Sequence, residues 1–412
     1  MILGNYTTTG DPVELSDVDR RQHLYAIGQT GTGKTTWLLS LMAQDFATRR
    51  GFCFIDKHGD AAKAISDSSP VPHLYWKPAD LSHIVGLNPL ENVPPDDRWR
   101  VTADIVSIFS DIWKLGPETP RLLYYLRAAV RLLLDTPCTT LLDIRRVLSD
   151  DNYRSKLLRK CGDRETRQTW TEFTAKSDKD QTIEIASLQN KVAALADPLP
   201  LRYVIGQPTS TINIRKLMDS GTSLVVDLSD MGDEPARLLG ALLVSSFARA
   251  AEARSSQAEG LRKDYTLYVD EFQNFASLAF GRILSEARKW RLSLSLAHQF
   301  ISQLPEELQH AILGNCGTIV SFRVGAADAP IISRAIDAPE QDLKDMGRGE
   351  AWVRLLEGGM PTDAHRMTTR KVDLPTGHLK SAIKNTRASF SRSRKDVEKM
   401  LIPHPQQRSS IW

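Results

Sequence analysis

The residues GQTGTGKTT, Gly28 to Thr36, have the types and spacing needed to cradle a phosphate chain. Gly28, Gly33, Lys34 and Thr35 fill the fixed positions of G-x-x-x-x-G-K-[ST]. Gly28, Gly31 and Gly33 let the backbone curl so that its N–H groups point inward, past Gln29, Thr30 and Thr32. A helix starting here would add partial positive charge where a β-phosphate sits. Lys34 would reach the β- and γ-phosphates, the Thr35 hydroxyl would ligate Mg²⁺, and Thr36 completes the nucleotide-binding stretch.

A second stretch supplies carboxylates. In LYVDEF, an apolar run leads to Asp270 and Glu271. Asp270 is expected to hold Mg²⁺ through a water, and Glu271 to polarise an attacking water. Alone, such a pair is common in α/β proteins; downstream of a full P-loop it reads as the other half of an ATP site. Gln299 ends the next apolar run, where an amide can sense the γ-phosphate, and His298 beside it reads as a packing group. Phosphoryl transfer also needs an arginine, supplied in cis or by a neighbour. Arg288 in EARKWR and Arg323 in FRVG compete for that place. Arg288, Lys289 and Arg291 would equally suit the negative end of a helix. His58 and Asp60 lack a third ligand, which argues against a metal site there.

These residues need elements to hold them. HLYAI reads as a strand into the P-loop, and Thr36 to Arg50 as a helix with Leu38, Leu41 and Met42 on one face. GFCFIDKHGD carries a buried strand from Phe52 to Asp56, which puts Asp56, Lys57 and His58 near the ligand edge. From about 96 to 200 strand signals vanish and helices follow one another. In that stretch Arg145, Arg146, Arg154, Lys156, Arg159 and Lys160 read as solvated bases or nucleic-acid contacts. Strand–helix alternation then resumes through Ser223–Ser229, Tyr265–Phe272, Leu292–Gln299 and Thr318–Gly325, closing with a hairpin of Glu350–Leu356 and His365–Thr369. The expected fold class is α/β, a mostly parallel sheet with an inserted all-α domain. The expected division is 1–95 and 201–370 for the nucleotide-binding domain, 96–200 for the insertion, and 371–412 for a basic flexible tail.

Composition sets the outer bounds. The chain has 412 residues, ordinary apolar and charged fractions and a net charge of +3. Residues 371–412 hold nine Lys/Arg against three Asp/Glu, so +6 sits there and −3 on the rest. Four cysteines form no CxxC pair and read as reduced thiols of a cytosolic protein. No apolar run approaches a membrane span.

With these stretches in place, the chain resembles the coupling-protein ATPases of type IV secretion and conjugative DNA transfer. These belong to the HerA/FtsK superfamily of RecA-like motors. The matching stretches are HLYAIGQTGTGKTT, FIDKHGD, LNPL, SLVVDLSD, LYVDEFQNF, LSEARKWRLSLSLAHQ and GNCGTIVSFRVGAADA. The resemblance implies a homo-hexameric ring that hydrolyses ATP with Mg²⁺ between subunits and drives DNA through its pore without sequence preference. It assigns roles to Lys34, Thr35, Asp270, Glu271 and Gln299, and matches Arg288 to the family's arginine finger. Many members begin with two membrane helices and have proline where Lys57 stands. The expectation here is a cytoplasmic protein that meets the inner membrane only through partners such as a secretion channel or a relaxase. Two other readings stay open: a HerA-like translocase working with a nuclease, and a secretion ATPase that moves protein.

Overall fold

The computed structural model describes residues 1–401. Its strands in chain order are β1 Ile2–Tyr6, β2 Pro12–Glu14, β3 Leu24–Ile27, β4 Gly51–Asp56, β5 Leu74–Trp76, β6 His83–Ile84 and β7 Leu224–Asp227. Then follow β8 Tyr265–Asp270, β9 Leu292–His298, β10 Thr318–Ser321, β11 Glu350–Glu357, β12 Met360–Thr368 and β13 Arg392–Ser393. Eleven of them form one sheet, ordered β2-β1-β12-β11-β10-β3-β9-β8-β4-β7-β5. From β10 to β5 every neighbouring pair is parallel; from β10 to β2 every pair is antiparallel. The parallel strands read as continuous apolar runs because helices cover both faces. β3, β4, β7, β8 and β9 are buried at every position.

Chain contacts define two units. The first is Met1–Lys77, Ile214–Ser229 and Leu243–Thr386, and holds the large sheet. The second is Pro78–Asn213, Asp230–Leu242 and the chain from Arg387. In the second unit, helices run from Arg98 to Ile205 with no strand among them. Pro120 occupies the first turn of the helix Pro120–Leu134, whose Leu122, Leu126, Ala129, Val130 and Leu133 are buried.

Two expectations need correction. Arg154 is not a solvated base: it is 1% exposed, donates to the Val147 carbonyl and lies over the rings of Trp170 and Phe173. The ring faces and Asp151 hold the guanidinium, so its charge is compensated inside. Nor is the basic C-terminal segment a flexible tail with at most one short helix. It forms the helices Leu379–Phe390 and Arg394–Leu401. In the first unit Thr386 Oγ1 accepts from Tyr75 N at 2.8 Å, and the Asp67 carboxylate accepts from Gly377 N and Leu379 N. In the second, Val397 packs with Ile84 and Tyr203. Residues 402–412 of the expected tail lie outside the described residues.

The helix after the P-loop, Lys34–Ala47, buries Trp37, Leu38, Leu41, Met42, Asp45 and Phe46, the stripe expected of a core helix. Asp45 is the polar exception. Its carboxylate accepts from Arg20 Nη1 at 2.6 Å and from Tyr268 Oη at 2.7 Å, and Arg20 also donates to Tyr268. This buried triad joins the P-loop helix to β8, the strand that ends in Asp270. Breaking a buried pair strands a charge and costs about 3–5 kcal/mol. Arg20→Met should therefore lower urea stability by about that much, and adding Asp45→Leu and Tyr268→Phe should recover most of it. Full stability in the single variant would show that the pair holds nothing together.

Candidate active site

The parallel strands end together, and the chemistry collects at that edge. β3 leads into the P-loop between the ends of β9 and β10. Gly28 N donates to His298 O at 3.3 Å and Gln29 N to Arg323 O at 2.8 Å. A side chain on Gly28 would stand 2.6 Å from Phe322 Cβ, so the loop needs glycine to pass that strand. Gly31 and Gly33 have φ of +79° and +109°, and Gly33 caps the helix that begins at Lys34.

Lys34 is buried and donates to the Gly28 and Gln29 carbonyls, the latter at 3.0 Å. Burial lowers its pKa, while Asp270 and Glu271 oppose that shift. Thr35 Oγ1 donates to Asp270 Oδ2 at 2.7 Å. Burial pushes the Asp270 carboxyl up to about 6, with Glu271 and Asp56 adding to the rise and the Thr35 bond and Lys34 opposing it. A hydroxyl and a carboxylate at this separation are hard oxygen donors suited to Mg²⁺. The incompletely compensated charge on Asp270 is what a cation there would stabilise.

Glu271 lies just past the strand with φ of +53°, a conformation that L-residues seldom adopt. A short turn holds it: Asn274 N and Nδ2 both donate to its carbonyl. Its two carboxylate oxygens accept from different amides, Gln273 Nε2 and Gln299 Nε2. Gln299 in turn accepts from Thr30 Oγ1 at 2.8 Å. A continuous chain of bonds thus runs from the P-loop through Gln299 to Glu271. Gln299 sits where an amide could report on the γ-phosphate. His298 is a packing group. It is buried against Tyr25 and Phe272, and burial holds its pKa down to about 3.

The pocket at this edge has a volume of about 160 Å³. Pockets that enclose a whole drug-sized ligand run to roughly 300–1,000 Å³. This one is smaller, and its size and lining suit the phosphate end of a nucleotide. Lys34, Thr35, Glu271 and Gln299 all line it, together with Thr30, Gly31, Gly33 and Thr36. Arg348 lines it too, and sequence reasoning missed it. The signal was the run GRGE leading into β11, whose glycines mark a tight approach.

The other nominated residues lie elsewhere. Arg288 is exposed beside the start of β9, at the opposite end of that strand from Gln299, and its charge disfavours protonation of His23. The Arg323 backbone touches the P-loop and its side chain is exposed. Asp56 accepts from His58 N and Ala62 N and shapes its own turn. Among the described residues no group of three or more His, Cys, Asp or Glu could hold a metal.

Strand order, phosphate loop and carboxylate pair define an α/β protein with the RecA-like P-loop fold. Residues 264–336 match the family described as the TraM recognition site of TraD and TraG; the match takes in Asp270, Glu271, Gln299 and Arg323. Among solved structures, the plasmid coupling protein TrwB in complex with ADP and Mg²⁺ aligns over 91% of this chain and 91% of its own, at 15% identity and a TM-score of 0.67. TrwB has also been solved with a non-hydrolysable ATP analogue, over 90% of each chain, at 15% identity and a TM-score of 0.66. VirB4 of Thermoanaerobacter pseudethanolicus aligns over 90% of this chain and 96% of its own, at 15% identity and a TM-score of 0.63. No curated protein matches the chain.

Proposed function

We propose that the protein is an ATP-hydrolysing motor of the coupling-protein type, which moves DNA in conjugation or type IV secretion as a ring of six. One observation carries the reading: Lys34, Thr35, Glu271 and Gln299 line a single phosphate-sized pocket on a TrwB-like fold, with Asp270 bonded to Thr35 behind them. The P-loop amides and Lys34 bind the phosphates. Thr35 and Asp270 hold Mg²⁺, which when bound neutralises phosphate charge. Glu271 orients the attacking water, and Gln299 couples its position to Thr30.

The partners follow from the same likeness. The family match at 264–336 suggests that this segment meets an accessory protein of the TraM kind. A relaxase or a membrane-anchored channel would complete the assembly. Among the described residues no helix is long and apolar enough to cross a membrane, and the proposed location is the cytoplasmic side of the inner membrane, reached through partners. DNA is favoured as cargo by the surplus of basic residues from 371 onward, where Lys380 and Lys384 are exposed.

Steady-state ATP hydrolysis, with and without DNA, tests the proposal. DNA of unrelated sequences should raise turnover to similar extents. Binding should weaken steeply with salt, because each neutralised phosphate releases counterions. Removing Leu379–Leu401 is no test of DNA binding, because that segment is folded into the molecule. Turnover that ignores every nucleic acid would exclude a DNA motor and leave the protein-moving ATPase. Copurification with a nuclease would favour end processing.

A further inference from the structure

Arg348 reaches the phosphate pocket from a part of the chain far from the P-loop. β11 runs antiparallel to β10, so its start arrives at the edge where the parallel strands end. The loop Gly347–Arg348–Gly349 lies just before it and is held on both sides. On one side Gly349 N donates to Thr32 O at 2.9 Å, and a side chain on Gly33 would come within 3.6 Å of Gly349 N. On the other, Thr369 N donates to Gly349 O at 2.8 Å, and Gly347 N donates to Glu350 Oε2 at 2.8 Å. Gly349 has φ of +80°, a turn that a side chain would strain. The backbone of Arg348 is therefore fixed against the phosphate loop.

Its side chain is exposed and, among the described residues, has no hydrogen-bond or ion-pair partner. The acid two residues further on, Glu350, is engaged by Arg366 at 2.9 Å. Arg348 and Lys34 are the two cations lining the pocket, and Lys34 is tied to loop carbonyls. Position along the loop says which phosphates Arg348 would meet. Thr30, Gln299 and Glu271 form the end where the γ-phosphate would be cleaved. Gly349 docks at Thr32 and Gly33, where the loop turns into the helix that receives the inner phosphates.

We propose that Arg348 binds the α- and β-phosphates of the nucleotide held by the P-loop of its own subunit. The inference rests on the nucleotide-binding reading above. It makes Arg348 a binding group for ADP and ATP alike, unlike a finger that acts on the transferred phosphate. A guanidinium forks onto phosphate oxygens in a way that an ammonium cannot copy.

The test is calorimetric titration of the full chain with ADP and with a non-hydrolysable ATP analogue, each with Mg²⁺. Arg348→Ala should weaken both by about tenfold to a hundredfold, the worth of a charge-assisted bond. Arg348→Lys should recover part of the loss. Thermal unfolding without nucleotide should be unchanged, because the side chain is exposed and unpaired. Affinities within about twofold of the parent protein for both nucleotides would overturn the inference while leaving the wider reading intact. A loss confined to the ATP analogue would also overturn it, by placing Arg348 on the γ-phosphate. If the parent protein binds neither nucleotide, the nucleotide-binding reading fails and this inference fails with it.

Discussion

Lys34→Ala is expected to lose ATP turnover entirely, whereas Glu271→Gln should bind ATP normally and hydrolyse it about 10²–10⁴-fold more slowly. The two losses have different causes. Lys34 is the buried cation at the floor of the pocket, bonded to the loop that would wrap the phosphates. Without it the phosphate charge has no counterweight in the P-loop. Glu271 stands off the loop backbone and is linked to Thr30 through Gln299. Glutamine keeps the shape and loses the base. Equilibrium binding of a fluorescent ATP analogue, alongside phosphate release, separates the two. Turnover near normal in Glu271→Gln would take Glu271 out of the reaction, whatever its position.

The second large effect concerns a residue far from its own pocket. Arg288 stands at the opposite end of β9 from Gln299, so in the proposed ring it would meet a neighbour's nucleotide rather than its own. A finger of this kind contributes roughly 10³–10⁵ in turnover. A basic residue at a helix end contributes only about 0.3–1 kcal/mol of stability. Arg288→Ala should therefore be folded and nearly inactive. Mixed with Lys34→Ala protein and allowed to exchange subunits, it should regain activity. Its intact P-loop can then meet Arg288 from the neighbour. Rings shown to mix but silent at every ratio would count against a role in trans. Arg323→Ala is the comparison, since Arg323 lies at the same edge as the P-loop. A severe loss there, with Arg288→Ala active, would move the finger to Arg323.

What could be read from the residues was what is local in sequence. The P-loop carries its own strand, turn and helix within one continuous stretch. Asp270 and Glu271 follow an apolar run, and Gln299 ends the next. The structure brings all of them to one edge because neighbouring parallel strands end level. Arg348 was not legible, since only the reversal of β11 carries GRGE to that edge. β5 has only three residues, too few to show a pattern of its own. The helix Leu379–Phe390 hid behind its Lys, Arg and Ser content, although Ala382 and Thr386 lie one turn apart on its buried face. Arg154 misled because a charged residue is solvated by default, and its aromatic shelter comes from a later helix.

The two amides on Glu271 have unequal freedom. Gln273 lies two residues along the same turn as the carboxylate, whereas Gln299 follows the end of β9 and reaches it from a separate part of the chain. In the proposed motor, engagement then resembles a clutch more than a throttle. A subunit with Gln299 held on Glu271 would idle, and one whose Gln299 turned toward the phosphate would fire. Fuel use by the ring would rise by recruiting subunits rather than by speeding each one. Load on the moving strand would be felt as the number of subunits engaged at once.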